Sequence, residues 1–346
     1  MSRADRSDDD AEPPHPRETE AWFGHAAAER ALLDAYRGGR VPHAWLIGGP
    51  TGIGKATLAY RMARFVLAHP DPSTAAVQKA TTLAVDSAHP SVRRIAARAH
   101  PNLLVLERTE GESGALRSVI TVDEVRRTIG FFGRTAGEGG WRVCIVDAAD
   151  ELQYPQGSNA LLKVLEEPPP RALFLLVSHA PGRLLPTIRS RCRHLALRAL
   201  VPEDVARAAA AALGRSADDP DIAAAAAAAD GSVGRAVQLL GGAALKVRER
   251  VSELLAALPA VDPMALHGLG DALVRADPQT FATFVDTVRD WLTARIARGT
   301  GEPARLAQVA EVWEKLNRAA REVEVFNLDR KPMVFAVFGL LAETAR

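Results

Sequence analysis

Gly48-Gly49-Pro50-Thr51-Gly52-Ile53-Gly54-Lys55-Ala56-Thr57-Leu58-Ala59 is the stretch whose reading decides the fold. From Gly49 to Lys55 it follows the pattern of a loop whose backbone amides curl around an anion, with the lysine supplying a mobile charge and the following helix its positive end. The apolar run Ala44-Trp45-Leu46-Ile47 precedes it, and Leu58, Met62, Phe65 and Val66 form an apolar stripe after it, so the order is strand, glycine loop, helix. A glycine-rich turn carrying an exposed lysine is the plainer alternative; the flanking strand and helix argue against it. One position breaks the pattern. Where a Ser or Thr would offer a hydroxyl to magnesium stands Ala56, and Thr57 is rotated by about 100° around the helix, away from that role.

Working outward, further buried strands read at Leu103–Leu106, Arg142–Val146 (ending at Asp147), Leu173–Val177 and, shorter, His194–Leu197. Helices alternate with them: Ala26–Arg37, closed by Gly38-Gly39; a helix through Phe132 opened by a capping box of Thr121 and Glu124; and Asn159–Glu167, stopped by Pro168–Pro170. Continuous apolar strands alternating with helices predict an α/β fold with a five-stranded parallel sheet covered on both faces. Ligands of such sheets sit beyond the carboxyl ends of the strands, where the glycine loop and Asp147 both fall. After Leu200 the strands stop. The expected organisation is a tail over residues 1–17, too charged and proline-rich to order itself, an α/β domain over 18–200, a small helical domain over 201–241 and an all-helical domain over 242–346. Residues 69–101 read as an insertion with one short helix near Val92–Ala99.

Of 346 residues, 43 are basic and 42 acidic, for a net charge of +1, which argues against bulk electrostatic binding of nucleic acid. There is no uninterrupted apolar run of membrane-spanning length and no signal-peptide layout at the start, so a soluble cytoplasmic protein is expected. Cys144 and Cys192 alone cannot build a zinc site and read as reduced core residues.

Asp147, at the end of a buried strand beside the glycine loop, stands where a magnesium-binding carboxylate is expected, but the next residue, where a water-activating glutamate would stand, is Ala148. Asp150 and Glu151 read either as displaced substitutes or as a solvated acidic helix start. Arg189, Arg191 and Arg193 alternate before the last strand. They read either as a solvated rim or as a group reaching into a neighbour's phosphate site, where an arginine supplied in trans contributes on the order of 10³ to 10⁵ in rate. No acidic cluster for polymerase or exonuclease chemistry is visible.

His43-Ala44-Trp45-Leu46, the block from Asn159 to Pro169 (NALLKVLEEPP) and Thr187-Ile188-Arg189-Ser190-Arg191-Cys192 together resemble the bacterial clamp-loader branch of the AAA+ family, with Asn327-Leu328-Asp329-Arg330-Lys331 as a weaker match to its C-terminal signature. The resemblance runs from about Phe23 to the C-terminus. It implies an AAA+ phosphate-loop core, a small helical lid and a helical collar holding a ring-like pentamer together. It also implies partners: gamma or tau and delta subunits, and through them a sliding clamp and primed DNA. Arg191 becomes an arginine finger presented to ATP on a neighbouring gamma or tau subunit. Gly49, Gly52, Gly54, Lys55, Thr57 and Asp147 become a degenerate nucleotide set, able at most to hold ATP or ADP without turnover, as in a stator subunit of a polymerase holoenzyme. An active gamma/tau-type ATPase that tolerates Ala56 is the alternative. Two departures stand out. The family's four-cysteine zinc module is missing from residues 69–101, where His69, His89 and His100 do not replace it and no zinc is expected. The lid arginine that senses nucleotide would fall near Gly234, with Arg235 one place late.

Overall fold

The computed structural model describes residues 14–111, 116–133, 140–240, 243–298, 303–326 and 328–344. Strands β1 (Ala44–Gly48), β2 (Leu103–Leu106), β3 (Arg142–Asp147), β4 (Ala172–Ser178) and β5 (Arg193–Ala196) form one parallel sheet in the order β2-β3-β4-β1-β5. Successive side chains of a strand point to opposite faces, and over the central strands β1, β3 and β4 both faces are dry, whereas the edge strand β5, read as buried from its sequence, is largely exposed because only β1 flanks it. Trp45, Ile47, Val143, Ile145, Leu173, Leu175 and Val177 enter one core, whereas Ala44, Leu46, Cys144, Val146, Phe174 and Leu176 enter the other. Continuous apolar strands are the sequence form of that two-sided burial.

The first core is covered by α1 (Ala26–Arg37) and α2 (Lys55–Ala68), with Val77 from α3 (Ala75–Lys79) and Ile95 from α4 (Pro90–Ala96) closing its edge. The second is covered by α5 (Val122–Gly133), α6 (Gln156–Glu166) and α7 (Pro186–Ser190), which contribute Val125 and Phe132, Leu161 and Leu165, and Ile188. The insertion thus carries two short helices rather than one. His89 accepts from the Ser91 amide at the start of α4, and His100 Nδ1 accepts from Asn102. At the start of α5, Thr121 accepts from the Glu124 amide at 3.4 Å as expected. The Glu124 carboxylate instead pairs with Arg127, three residues on, so only half of the expected capping box forms.

The chain continues through α8 (Pro202–Leu213), α9 (Pro220–Ala228) and α10 (Val233–Leu239). It divides into two compact units, Ala11–Ala236 and one built on Val237–Arg346. In the latter, α11 (Ala243–Ala256), α12 (Pro263–Val274), α13 (Pro278–Arg298), α14 (Pro303–Phe326) and α15 (Arg330–Thr344) enclose their own core around Phe281, Phe284, Leu292, Leu316 and Phe338. The late signature has a structural task here. Asp329 accepts from the Lys331 amide to cap α15, Lys331 pairs with Asp271 at 2.6 Å, and Arg330 donates to the Leu273 and Ala276 carbonyls at the end of α12 while lying over the Phe281 ring. Asn327 lies outside the described residues. No described helix is long and apolar enough to cross a membrane.

Helix α2 is buried almost all round, and its arginines are the reason residues before α1 are ordered. Arg64 donates to the carbonyls of Arg17 (3.0 Å) and Thr19 (2.6 Å), Arg61 donates to that of Glu20 (2.7 Å), and Arg17 itself reaches the Ala96 carbonyl at 3.2 Å. The tail expected over residues 1–17 therefore does not extend to 14–17; residues 1–13 lie outside the described set. The segment is held by hydrogen bonds from buried guanidinium groups.

The Arg61 guanidinium is neutralised by Glu29 of α1 at 2.8 Å, with both side chains under 10% exposed, and the same carboxylate oxygen accepts from the Leu83 amide at 3.0 Å. Glu29 therefore joins α1, α2 and the insertion at one atom. Removing one partner of a buried pair strands the other charge. Glu29→Ala is expected to lower the unfolding free energy by about 3–5 kcal/mol, measured by chemical denaturation with far-UV circular dichroism.

Candidate functional site

Strand β1 lies between β4 and β5, so the chain leaves it in one direction towards β2 and returns through β3 and β4. The loops following β1, β3 and β4 meet at the resulting crevice. In register, Gly48 lies beside Ser178 and Asp147 beside Val177, and the Gly49 amide donates to the Ser178 carbonyl at 3.3 Å. The structure thereby brings together Gly49, Gly52, Gly54, Lys55 and Asp147, five of the residues singled out in sequence. Gly52 and Gly54 adopt φ of 75° and 93°, a region that disfavours side chains.

The glycine loop is covered by its own unit. A Cβ on Gly52 would lie 2.2 Å from the Ser232 hydroxyl oxygen, and the Gly234 amide donates to the Gly52 carbonyl at 3.1 Å. A Cβ on Gly49 would lie 2.5 Å from the Leu197 carbonyl oxygen, and the Trp22 ring packs against Gly54. His25 bonds the Ile53 carbonyl at 3.2 Å through Nε2; a carbonyl only accepts, so Nε2 carries the proton, and burial keeps the ring below its usual pKa and neutral. Lys55 is 3% exposed, and its ammonium turns back onto the loop, donating to the carbonyls of Gly49 (2.8 Å) and Pro50.

Three features of the loop bear on nucleotide chemistry. Two of the lysine's three donors are used on the loop itself, Gly52 is in contact with the Ser232–Gly234 turn, and Ala56 brings no hydroxyl to a metal. Thr57 is half-buried one step further round α2. Arg235, adjacent to the expected sensing position, pairs with Asp230 at 3.0 Å.

The carboxylates after β3 are also engaged. Asp150 accepts from the His179 amide at 2.9 Å, tying the loop after β3 to the end of β4, and Glu151 pairs with Arg108 at 2.8 Å. A cleft of about 600 Å³ opens beside Asp147, lined by Ala148, Glu107, Glu151, Arg108 and His179. Burial raises the Asp147 carboxyl to about 6, with repulsion from Glu107 and Glu151 adding to it and Lys55 opposing; burial likewise lowers Lys55 to about 8 against the pull of Asp147 and Asp150. Both groups are charged at pH 7, and the fold sustains the cost of that.

Arg191 sits elsewhere, at the end of α7, and its neighbours explain the Ser-Arg-Cys turn. Ile188 and Cys192 are anchored in the second core beside Leu161 and Leu165, and burial lifts the Cys192 thiol to about 11. Between these anchors Arg191 points outward, one-third exposed, donating to the Thr187 carbonyl at 3.0 Å and pairing with Glu166 of α6 at 2.8 Å. Arg193 lies over the Trp45 ring at 4.9 Å. Sequence reasoning missed Trp22, His25 and Ser232, which act through long-range packing and belong to no local pattern. It also missed the Glu166–Arg191 ion pair, which joins two blocks it had marked.

For Asp147 the folded-state pKa lies above the unfolded one, so its favourable contribution is present below about pH 4 and is lost as pH rises through 6. Asp147→Asn is accordingly expected to stabilise the fold at pH 7 by on the order of 2–3 kcal/mol, with the gain shrinking towards nil at pH 4, as read from paired denaturation curves at the two pH values.

Comparison with known proteins gives the arrangement a family. The model of the DNA polymerase III delta subunit family matches residues 24–201. A DNA polymerase III subunit delta' of Pseudomonas aeruginosa is 40% identical over 157 residues, covering 45% of this chain and 43% of that protein; one of Escherichia coli is 32% identical over 163 residues, covering 47% and 44%. A gamma/tau subunit of Mycobacterium tuberculosis is 34% identical over 172 residues, covering 49% of this chain and 26% of its own length. The chain thus spans less than half the length of these curated relatives. A RuvB structure from Thermotoga maritima aligns over 90% of this chain and 88% of its own at 18% identity, with a TM-score of 0.46. The family match takes in the glycine loop, all five strands and the Ser190-Arg191-Cys192 turn, and the chain belongs to the DNA polymerase III delta subunit family, on the side of its delta prime members.

Proposed function

We propose that the chain is the stator of a DNA polymerase III clamp loader. It supplies Arg191 in trans to ATP held by a neighbouring gamma or tau subunit, performs no hydrolysis of its own, and helps place the sliding clamp on primed DNA. The observation that carries this reading is an asymmetry. The chain's own site lacks the magnesium hydroxyl at Ala56 and the carboxylate at Ala148, and its Lys55 is turned inward, while Arg191 is held outward on a turn anchored by Ile188 and Cys192. The α/β core would present the finger, α8–α10 would act as a fixed lid, and the helical unit from Val237 would be the collar that joins it to gamma/tau and delta subunits in the cytoplasm. No step of this function passes through a nucleotide bound by this chain.

In a loader reconstituted from full-length subunits, Arg191→Ala is expected to abolish most DNA-stimulated hydrolysis at the site the finger completes, by about 10³-fold or more, and to impair clamp loading while leaving assembly intact. Unchanged ATPase and loading would sink the assignment. An active gamma/tau-type ATPase is the second reading, favoured by the retained Lys55 and Asp147 and by the gamma/tau relatives. It predicts magnesium-dependent hydrolysis by the isolated chain that Lys55→Ala removes; the stator reading predicts none above background.

A further inference from the structure

We infer that Glu166 is a positioning residue for Arg191. The inference rests on the trans-acting role proposed for that arginine. Glu166 closes α6, the helix written by the Asn159–Glu167 block, and its Oε1 lies 2.8 Å from Arg191 Nη2. The other terminal nitrogen, Nη1, donates to the Thr187 carbonyl at 3.0 Å. The guanidinium is thus gripped at two corners by groups from two different elements. Of its five N–H groups, these bonds use one on each terminal nitrogen, so three remain for an incoming anion as far as the described residues go.

The grip matters because a donor in a phosphoryl-transfer site must be held to within about 0.5 Å and 10–20° of its working geometry. A long side chain that is one-third exposed does not hold that geometry unaided, since arginine carries about 2 kcal/mol of rotamer entropy. The backbones at both ends of the grip are fixed. Leu165, beside Glu166, and Leu161 are buried in the same core as Ile188 and Cys192, on either side of Arg191. Pro168 and Pro169 follow the end of α6 and prevent its continuation, which fixes where the carboxylate emerges. The Leu-Glu-Glu-Pro-Pro segment and the Ser-Arg-Cys segment, separate in sequence, are therefore the two halves of one device: a core-anchored carboxylate orienting a core-anchored guanidinium. Glu166 touches neither nucleotide nor metal in this scheme and acts only through Arg191.

The test is a double-mutant cycle in the reconstituted loader, comparing wild type, Glu166→Ala, Arg191→Ala and the double variant for DNA-stimulated hydrolysis, with Glu166→Gln as the conservative control and equal Tm and complex assembly checked for each. Glu166→Ala is expected to lower kcat by about two- to fivefold, the range for an ion pair of this exposure, with KM for ATP unchanged. Glu166→Gln, which keeps an acceptor oxygen, is expected to recover part of the loss. In the Arg191→Ala background Glu166→Ala is expected to add nothing. An equal fall in both backgrounds, or no fall beside an intact Arg191 while Arg191→Ala is impaired, would overturn the positioning role and leave the trans-acting arginine standing. Should Arg191→Ala itself be without effect, the arginine reading fails first.

Discussion

The contact between Gly52 and the Ser232–Gly234 turn is the constraint on which the rest of the site depends. Gly52 has no side chain, and the space one would need is taken by a serine hydroxyl, while its carbonyl accepts from the Gly234 amide. A phosphate loop works by keeping amides and an ammonium turned towards an anion. Here its curvature survives, but the Gly49, Pro50 and Gly52 carbonyls and two of the ammonium's three donors are engaged within the chain. Lys55, the one mobile charge, completes that closure by bonding the carbonyls of Gly49 and Pro50.

The same closure ties the loop to the N-terminal segment. Arg61 and Arg64 extend from the loop's own helix to hold the backbone from Arg17 to Glu20, and Trp22 then lands on Gly54 and His25 on the Ile53 carbonyl. Glu29 neutralises Arg61 and simultaneously binds the insertion through the Leu83 amide. A helix that in a phosphate-binding protein would face its charge at a ligand has most of its cationic side chains committed to packing the chain around it. The raised Asp147 and lowered Lys55 record what remains: two charges kept in a poorly solvated crevice.

Arg191 contrasts with this at each point. It is partly solvated, anchored by neighbours rather than by its own burial, and paired with a carboxylate at the surface. Such a pair contributes little to stability, roughly 0–1 kcal/mol, so its value lies in orientation. Closed loop and presented arginine are built on the same sheet, the first on the turn after β1 and the second just before β5, its neighbour.

Much of the fold could be read directly because its signals are local. The central strands are nearly unbroken apolar runs, since both faces of the sheet are dry there, and the α6 stop is written in prolines. The glycine loop, Ala56, Ala148 and the arginine of the Ser-Arg-Cys turn are likewise legible one position at a time, because each is defined by a residue type at a fixed spacing. The tertiary structure alone decided what those residues touch. The serine against Gly52, the hold of Arg61 and Arg64 on the carbonyls of Arg17, Thr19 and Glu20 more than forty positions away and the Glu166–Arg191 pair all join segments distant in sequence, and the inward turn of Lys55 is set by the fold around it. Periodicity and motif spacing describe one element at a time. Hydrogen bonds between elements depend on how the two cores bring those elements together, and no local pattern encodes that.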